Sequence, residues 1–524
     1  MPSIAALATP TGSISILNYS SPMKRTKGYK IIALSGLLLL CPGCSEDLPA
    51  DAEIAEVALF PDYEEVTVPA NIAPLNFKLP DEQMRGITRL KTVHKDIRIP
   101  SRSGVFNIPM DEWKEAAEDA KGDKIDVSVY FKDSSNAWKL KRFPIFVSED
   151  SMDNYLTYRR IFPGYRMWGE MGIYQRTVDN FVENPVINNR RTGNSCVNCH
   201  SFCRQDGSKM LFHQRSNYGG TYLVDGSDVD KISVTDQGKA FGLAYPYWHP
   251  SGKYIAFSHN DTRQDFHYSD RNRIEVYDKS SDIVIYHVEE HRAFTVPLLS
   301  SPASYETFPA FTPDGKSLIF CSADSVNMPD EYRKVRYHLL RIAFDPEKGT
   351  FGQQVDTLYN ARKEGRSISF PRVSPDGKRL LYAVSDYGNF SIWHRDADLR
   401  MLDLRTGETD SLSVVNSDDV ESYHSWSSNG RWFVFASRRL DGQFTRPFIA
   451  HVDEEGKCSK PFLLPQYSPD YYEQSLFSFN IPEFSRTAIR ISEAEVVEQA
   501  KEKPVREIRL ERQDNPTGLH DFRK

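Results

Sequence analysis

The chain has 524 residues, 40% of them hydrophobic and 12% aromatic, with a formal charge of −7. That length supplies two to four domains and more than one core, which excludes a small disulfide-stapled scaffold. The interspersed charges leave no basic stripe, so nucleic acid and anionic membrane surfaces are excluded as electrostatic partners, while 26 Tyr and 30 Phe favour strands over helices.

Residues 1–44 read as a leader and signal peptide entered from a start at Met23. Lys24, Arg25, Lys27 and Lys30 precede an apolar run from Ile31 to Leu40 that is too short to span a bilayer. The run ends at Gly43-Cys44, which resembles a bacterial lipoprotein cleavage site with Cys44 as the lipidated residue, and departs from it in having Cys41 where Leu is common. The acidic Ser45-Glu46-Asp47 that follows resembles the sorting signal of surface-exposed lipoproteins of the Bacteroidetes, and the expected location is the outer membrane, on its surface or its periplasmic face. Five cysteines then remain, an odd number that does not make a complete disulfide framework.

After a linker at 45–59, residues 60–150 form a small β-rich, sandwich-like domain. Its strands are expected in VTVPANIAPLNFKL, IRIPSRSGVFNIP, KIDVSVYFKD and WKLKRFPIFVSED, and one helix over Met110–Ala120. From 151 to 484 the pattern is all strand. GIYQRTVDNFVENPVI, from Gly172, reads as an outer strand pair with no inner pair before it.

Next comes NSCVNCHSFCRQDGSKMLFH, which contains Cys196-Val197-Asn198-Cys199-His200. Two thiols three positions apart can form thioethers with the vinyl groups of haem, and the histidine directly after the second can ligate the iron. With 7 Cys and 13 His in the chain, chance supplies this pattern only roughly 0.002 times per sequence of this length. The rival readings are a redox dithiol, a zinc site completed by a fourth ligand, and an inert motif.

A repeat follows: PYWHPSGKYIAFS, PAFTPDGKSLIFC, PRVSPDGKRLLYA and HSWSSNGRWFVFA, with turn glycines at Gly252, Gly315, Gly377 and Gly430. Each is a hairpin whose glycine tolerates positive φ, and the period suits a four-stranded propeller blade. Placing Gly207 on these glycines makes SFCRQDGSKMLFH a fifth hairpin, with Cys203 on Trp248 as a core residue. IEVYDKSSDIVIY and LRMLDLRTGETDSLSV supply outer strand pairs, and SPDYYEQSLFSFN is an inner pair that would close the ring with the segment from Gly172. The fold class is therefore mainly β, a six-bladed propeller (seven as the alternative) behind a small sandwich-like domain. Residues 485–524 read as a charged, solvated tail.

These hairpins resemble the WD40-like repeats of TolB-type propellers, and the whole chain resembles a TolB-like lipoprotein of the Bacteroidetes that carries a c-type haem motif. The resemblance covers about residues 165–480. It implies the fold and leaves the activity open, because propellers host many functions.

The haem reading assigns Cys196 and Cys199 to the thioethers and His200 to the proximal iron position, on the face where connections enter the inner strands. His213 is the first candidate for a second axial ligand, because it replaces the small residues Ser258, Cys321, Ala383 and Ala436 of the other repeats. His424, Met171 and Met210 are the alternatives. The loops holding His259, His267, His338, Tyr387, Trp393 and His394 form a rim over the haem. An exported haem c (iron) protein of electron transfer or redox sensing follows, docking a redox partner or envelope protein. Alternatives are a non-redox binding or assembly propeller that recognises glycan or peptide, a haem peroxidase, and a metal-dependent propeller lyase. No G-x-S-x-G elbow or HExxH motif points to a hydrolase.

Overall fold

The computed structural model describes residues 48–81, 84–162 and 169–514, so the leader, the signal segment and Cys44 lie outside the described residues. The protein is mainly β. The first sheet, with strands in the order Glu53–Ile54, Trp138–Ser148, Lys124–Lys132, Gly86–Lys91 and Asp96–Ser101, is extended by Thr67–Pro69 on the second of these. Helix α1 (Met110–Asp119) packs Trp113, Ala116 and Ala117 against it, as the pattern MDEWKEAAEDA requires. The linker region already contributes a strand, and GITRLK is a sheet strand that no alternation in the sequence reveals. One sheet covered by a helix and the ribbon Phe77–Lys78/Val105–Phe106 replaces the expected sandwich. Its core is continuous with that of the following strands, from Leu59 through Trp113 to Trp432 and Phe484.

The remaining strands form antiparallel four-stranded meanders arranged as in a β-propeller. The innermost strands are β1 (Val197–Cys203), β2 (Ala244–Trp248), β3 (Ser304–Phe311), β4 (Ser367–Val373), β5 (Glu421–Trp426) and β6 (Ser478–Ser485). Each touches the next, and β6 touches β1, so they close a ring around a channel. The last sheet joins β6 to three strands from the other end of the propeller region: Tyr155–Ile161, Met171–Thr177 and Glu183–Asn188. The expected closure is thus made by one C-terminal strand rather than a pair, because Tyr471–Gln474 of SPDYYEQSLFSFN is a helical turn.

Two further expectations change. IEVYDKSSDIVIY is not a strand pair but part of one long strand, Ile274–His287, which pairs with Tyr254–Phe266. The segment HNDTRQDFHYSDRNR is therefore largely an extended hairpin. The charged tail also carries regular structure as far as residue 514. Helix α2 (Glu493–Glu502), with a capping box at Ser492 and Glu495, buries Val496, Val497 and Ala500. Strand β7 (Arg506–Arg512) then inserts in parallel between Asp228–Asp236 and Arg292–Thr295, joining the sheets of β1 and β2.

Candidate functional site

Every inner strand carries the same defect. The ladder slips after Asn198, Ala244, Thr307, Ser369, Ser422 and Asn480, and the next residue has positive φ: Cys199 (53°), Tyr245 (46°), Phe308 (52°), Phe370 (53°), Tyr423 (51°) and Ile481 (52°). A non-glycine residue in this region costs about 1–2 kcal/mol, so six such bulges are held by their surroundings. Four of the six are aromatic and pack on one another: Tyr245 on Phe308 at 4.5 Å, Phe308 on Phe370 at 4.2 Å, Phe370 on Tyr423 at 4.9 Å. Together the six form a waist across the channel. On one side lies a chamber of about 1150 Å³, and on the other a chamber of about 340 Å³; Cys199, Tyr245, Tyr423 and Ile481 line both.

The haem-type motif straddles this waist. It does not precede β1, as expected; Val197 to His200 lie within it. Asn198 and Cys199 face the larger chamber, Cys199 and His200 the smaller, and Cys196, 8% exposed, lines neither. All five described cysteines are free and buried. Burial pushes the Cys199 thiol up, against a weaker pull from the Tyr245 backbone and from Arg159 and Arg215. No group of three or more His, Cys, Asp or Glu among the described residues is placed to hold a metal ion, so the zinc alternative has no assembled ligand set.

His200 occupies the repeat position that Pro246, Pro309, Pro371, His424 and Pro482 hold elsewhere, one residue after the bulge. Proline is suited there because a bulge leaves an amide out of the ladder. His200 is buried, its ring nitrogens make no hydrogen bond of good geometry, and burial with the nearby Arg159 charge lowers its pKa to about 3 against a weaker pull from the Thr157 backbone. A buried imidazole without partners costs about 1–3 kcal/mol of desolvation. A neutral imidazole is the kind of donor that iron takes, and Cys199 lies beside it, whereas Cys196 opens to neither chamber.

The second-ligand candidates separate clearly. His213 does stand on the small residues of the other repeats, and the structure does not bring it to the channel. Its ring shares a 3.0 Å hydrogen bond with Thr221 and lies beside Gly242, in the seam toward the next sheet, where burial lowers its pKa to about 3. The sulfur of Met171 accepts the Val197 amide at 3.4 Å, and Met210 is in the core with Phe202 and Phe212. His424 alone shares the smaller chamber with His200. Its Nε2 meets the Leu381 carbonyl at 3.0 Å, and burial lowers its pKa to about 3 against weaker pulls from the Leu381 and Phe370 backbone.

Residues that sequence reasoning passed over stand next to it. Glu483 of β6, half-buried, accepts the Phe202 amide at 3.1 Å, and desolvation raises its pKa to about 8 against the pull of that amide and of Arg372. Arg372 of β4 lies 5.0 Å above the Tyr247 ring. Both sit two residues after their bulge, a position that repeat alignment could have exposed. Of the rim residues, Trp393 lines the larger chamber beneath the Arg438 guanidinium at 3.8 Å. His394 and Tyr387 instead bind buried Glu275 of the long hairpin at 3.0 and 2.7 Å, and His267 stacks on Tyr332.

No family model and no curated protein matches the chain. Among solved structures, TolB from Acinetobacter baumannii is 16% identical over 72% of this chain and 85% of its own, with a TM-score of 0.41. The β-propeller domain of the Trilobed protease from Pyrococcus furiosus is 10% identical over 75% of this chain and 94% of its own, with a TM-score of 0.32. A puromycin-hydrolysing peptidase from Mycobacterium tuberculosis is 11% identical over 77% of this chain and 57% of its own, with a TM-score of 0.33.

Proposed function

We propose that this chain is an exported, lipid-anchored c-type haem protein that transfers electrons or senses redox state, mounted on a closed six-bladed propeller whose mouth docks a redox partner or envelope protein. The six bulged inner strands and their ring of contacts support the blade count. The observation that carries the haem reading is His200: directly after the second thiol of Cys-x-x-Cys, it is buried and neutral, and its ring makes no hydrogen bond of good geometry. Cys196 and Cys199 would hold the haem through thioethers, and His200 would ligate the iron. When bound, haem supplies one-electron chemistry. The protein's own part is to exclude water around His200 through the aromatic waist and to keep the imidazole deprotonated. His424, at the equivalent position of β5, is the better candidate for a second axial ligand than His213.

The test is a pyridine haemochrome spectrum of the full chain exported from a host competent in c-type maturation, beside Cys196→Ala/Cys199→Ala. A c-type band that disappears in the double variant is the expected result. Its absence from the parent chain overturns the reading and leaves a propeller that binds other ligands at the same mouth.

A further inference from the structure

The hairpin that follows β2 outgrows its counterparts. Its strands, Tyr254–Phe266 and Ile274–His287, have 13 and 14 residues, where the matching pairs of the next three sheets have eight or fewer. That excess adds about 17 Å of reach. The overhang touches segment 325–337 of the sheet of β3, through Tyr277 on Tyr332 at 5.4 Å and the Asp270–Arg333 ion pair, and docks on segment 386–397 of the sheet of β4. Strand alternation divides it into two faces. Thr262, Gln264, Ile274 and Val276 form part of the wall of the larger chamber. Glu275 points the other way, accepting the Tyr387 hydroxyl at 2.7 Å and meeting His394 Nε2 at 3.0 Å. Asp278 accepts the Asn260 side-chain amide at 2.8 Å and that of Asn389, and Asn272 accepts the Arg395 amide at 3.3 Å. This docking is polar and buried. Glu275 and Asp278 are 1% and 3% exposed, and Asp278 has no ion pair among the described residues. Burying a carboxyl without a cation is costly, so the overhang is poised on segment 386–397 rather than locked to it. At its base the ladder slips between Asp261 and Thr262, opposite Lys279, which leaves a hinge.

We propose that this overhang is a hinged lid of the larger chamber, latched to segment 386–397 through Glu275 and Asp278 and released as pH rises. The lid stands apart from the haem reading, because His200 and His424 lie across the waist from this chamber. Burial raises the Asp278 carboxyl to about 7, against the pull of the Asn260 and Asn389 amides and with a push from Asp261 of the same hairpin. The other titratable groups around it are Tyr245 of β2, Tyr305 of β3 and Tyr337, all held neutral by burial, and the Glu275–His394 pair three residues along the strand. Released into water, the carboxyl returns to about 3.9. The latched state therefore binds more protons between about pH 4 and 7. The latch is firmest below about 4, and its hold is lost as pH rises through about 7, by up to about tenfold in the closed-to-open ratio per pH unit.

The experiment places nitroxide labels on cysteines introduced at Tyr268, fully exposed near the hairpin tip, and at Val414, 47% exposed in the connection that leads to β5, and measures their separation in the full chain by pulsed electron resonance. The five described native cysteines are buried, and the chain without the two new cysteines, treated identically, gives the background. One separation is expected at pH 5, and a second, longer one is expected to gain population at pH 8. Asp278→Asn, which keeps the side chain neutral, is expected to give the same distribution at both pH values. An unchanged distribution in the parent between pH 5 and 8 overturns the lid, a comparison that does not depend on the folding of the variant. A pH response that survives in Asp278→Asn overturns the assignment of the latch to this carboxyl.

Discussion

At the residue scale, single positions in the haem-motif strand behave differently from their repeat equivalents, and each difference has a local cause. Gly252, Gly315, Gly377 and Gly430 have φ between 67° and 74°, as their turns require. Gly207 does not share that conformation: in its hairpin Arg204 and Gln205 take the positive φ values, 51° and 54°, in a two-residue turn. The register slips by one, so Phe202 rather than Cys203 occupies the place of Trp248, although Cys203 is still buried in the core. Gly207 is needed for a different reason, because a Cβ there would come within 2.1 Å of the Thr487 carbonyl oxygen. The buried histidines also set a pH dependence. His213, with its pKa lowered to about 3, stays neutral in the folded chain while the unfolded chain protonates below about 6.5. The unfolded state then binds more protons, and stability falls as pH drops from about 6.5 toward 3, by up to about 1.4 kcal/mol per pH unit for this one group. His213→Gln is expected to flatten the decline of urea-unfolding stability between pH 6.5 and 4; an unchanged slope would show that the ring is protonated in the folded state.

At the element scale, the informative structures are those that the hydrophobic alternation does not encode. A bulge adds one residue without altering the apolar pattern on either side, so the six bulges are silent in the repeat until the ladder is seen. They explain why the motif lies within an inner strand instead of before it. The tail is the second case. REIRLER alternates charge with Ile508 and Leu510, which reads as a solvated stretch; its pairing comes from two open strand edges, Asp228–Asp236 and Arg292–Thr295, that lie apart in the chain. Ending the chain at Lys503 is expected to expose both edges. Amide exchange at Ile232, Val234, Ala293 and Thr295 should rise by about tenfold or more relative to β3 and β4. Uniform exchange in the truncated chain would mean that β7 does not protect these edges.

For the whole molecule, ring closure depends on contacts across some three hundred residues of sequence. Phe479 of β6 is fully buried, 5.0 Å from the Tyr158 ring and 5.7 Å from that of Tyr472, in the core that also holds Trp113 of α1. Phe479→Ala is expected to cost about 3–5 kcal/mol in denaturant unfolding and to loosen the N-terminal sheet and the closing sheet together. Separate transitions for the two would show that the shared core does not couple them. Much of this architecture is legible in the repeated Asp/Asn/Ser-Gly hairpins, because strand alternation and turn chemistry are local. The C-terminal origin of the closing strand is legible for the same reason. Its single-strand form is not, since Tyr471–Gln474 is helical through its packing under Phe479 and Arg446, a tertiary effect.

The sequence by itself determined the strand-rich hairpin repeat, the helix at Met110 and the Cys196-Val197-Asn198-Cys199-His200 motif, each a matter of residue type at short spacing. Only the tertiary structure decided that His200 and His424 share one chamber while His213 faces a seam. It also decided that Glu483 and Arg372 enter the channel, and that Arg159, Arg215, Arg271 and Arg273 line its wider end. The physical reason is that a channel on a ring axis is assembled from one or two residues of every blade. Their mutual distance is fixed by closure and by the bulges, and neither leaves a periodic trace along the chain.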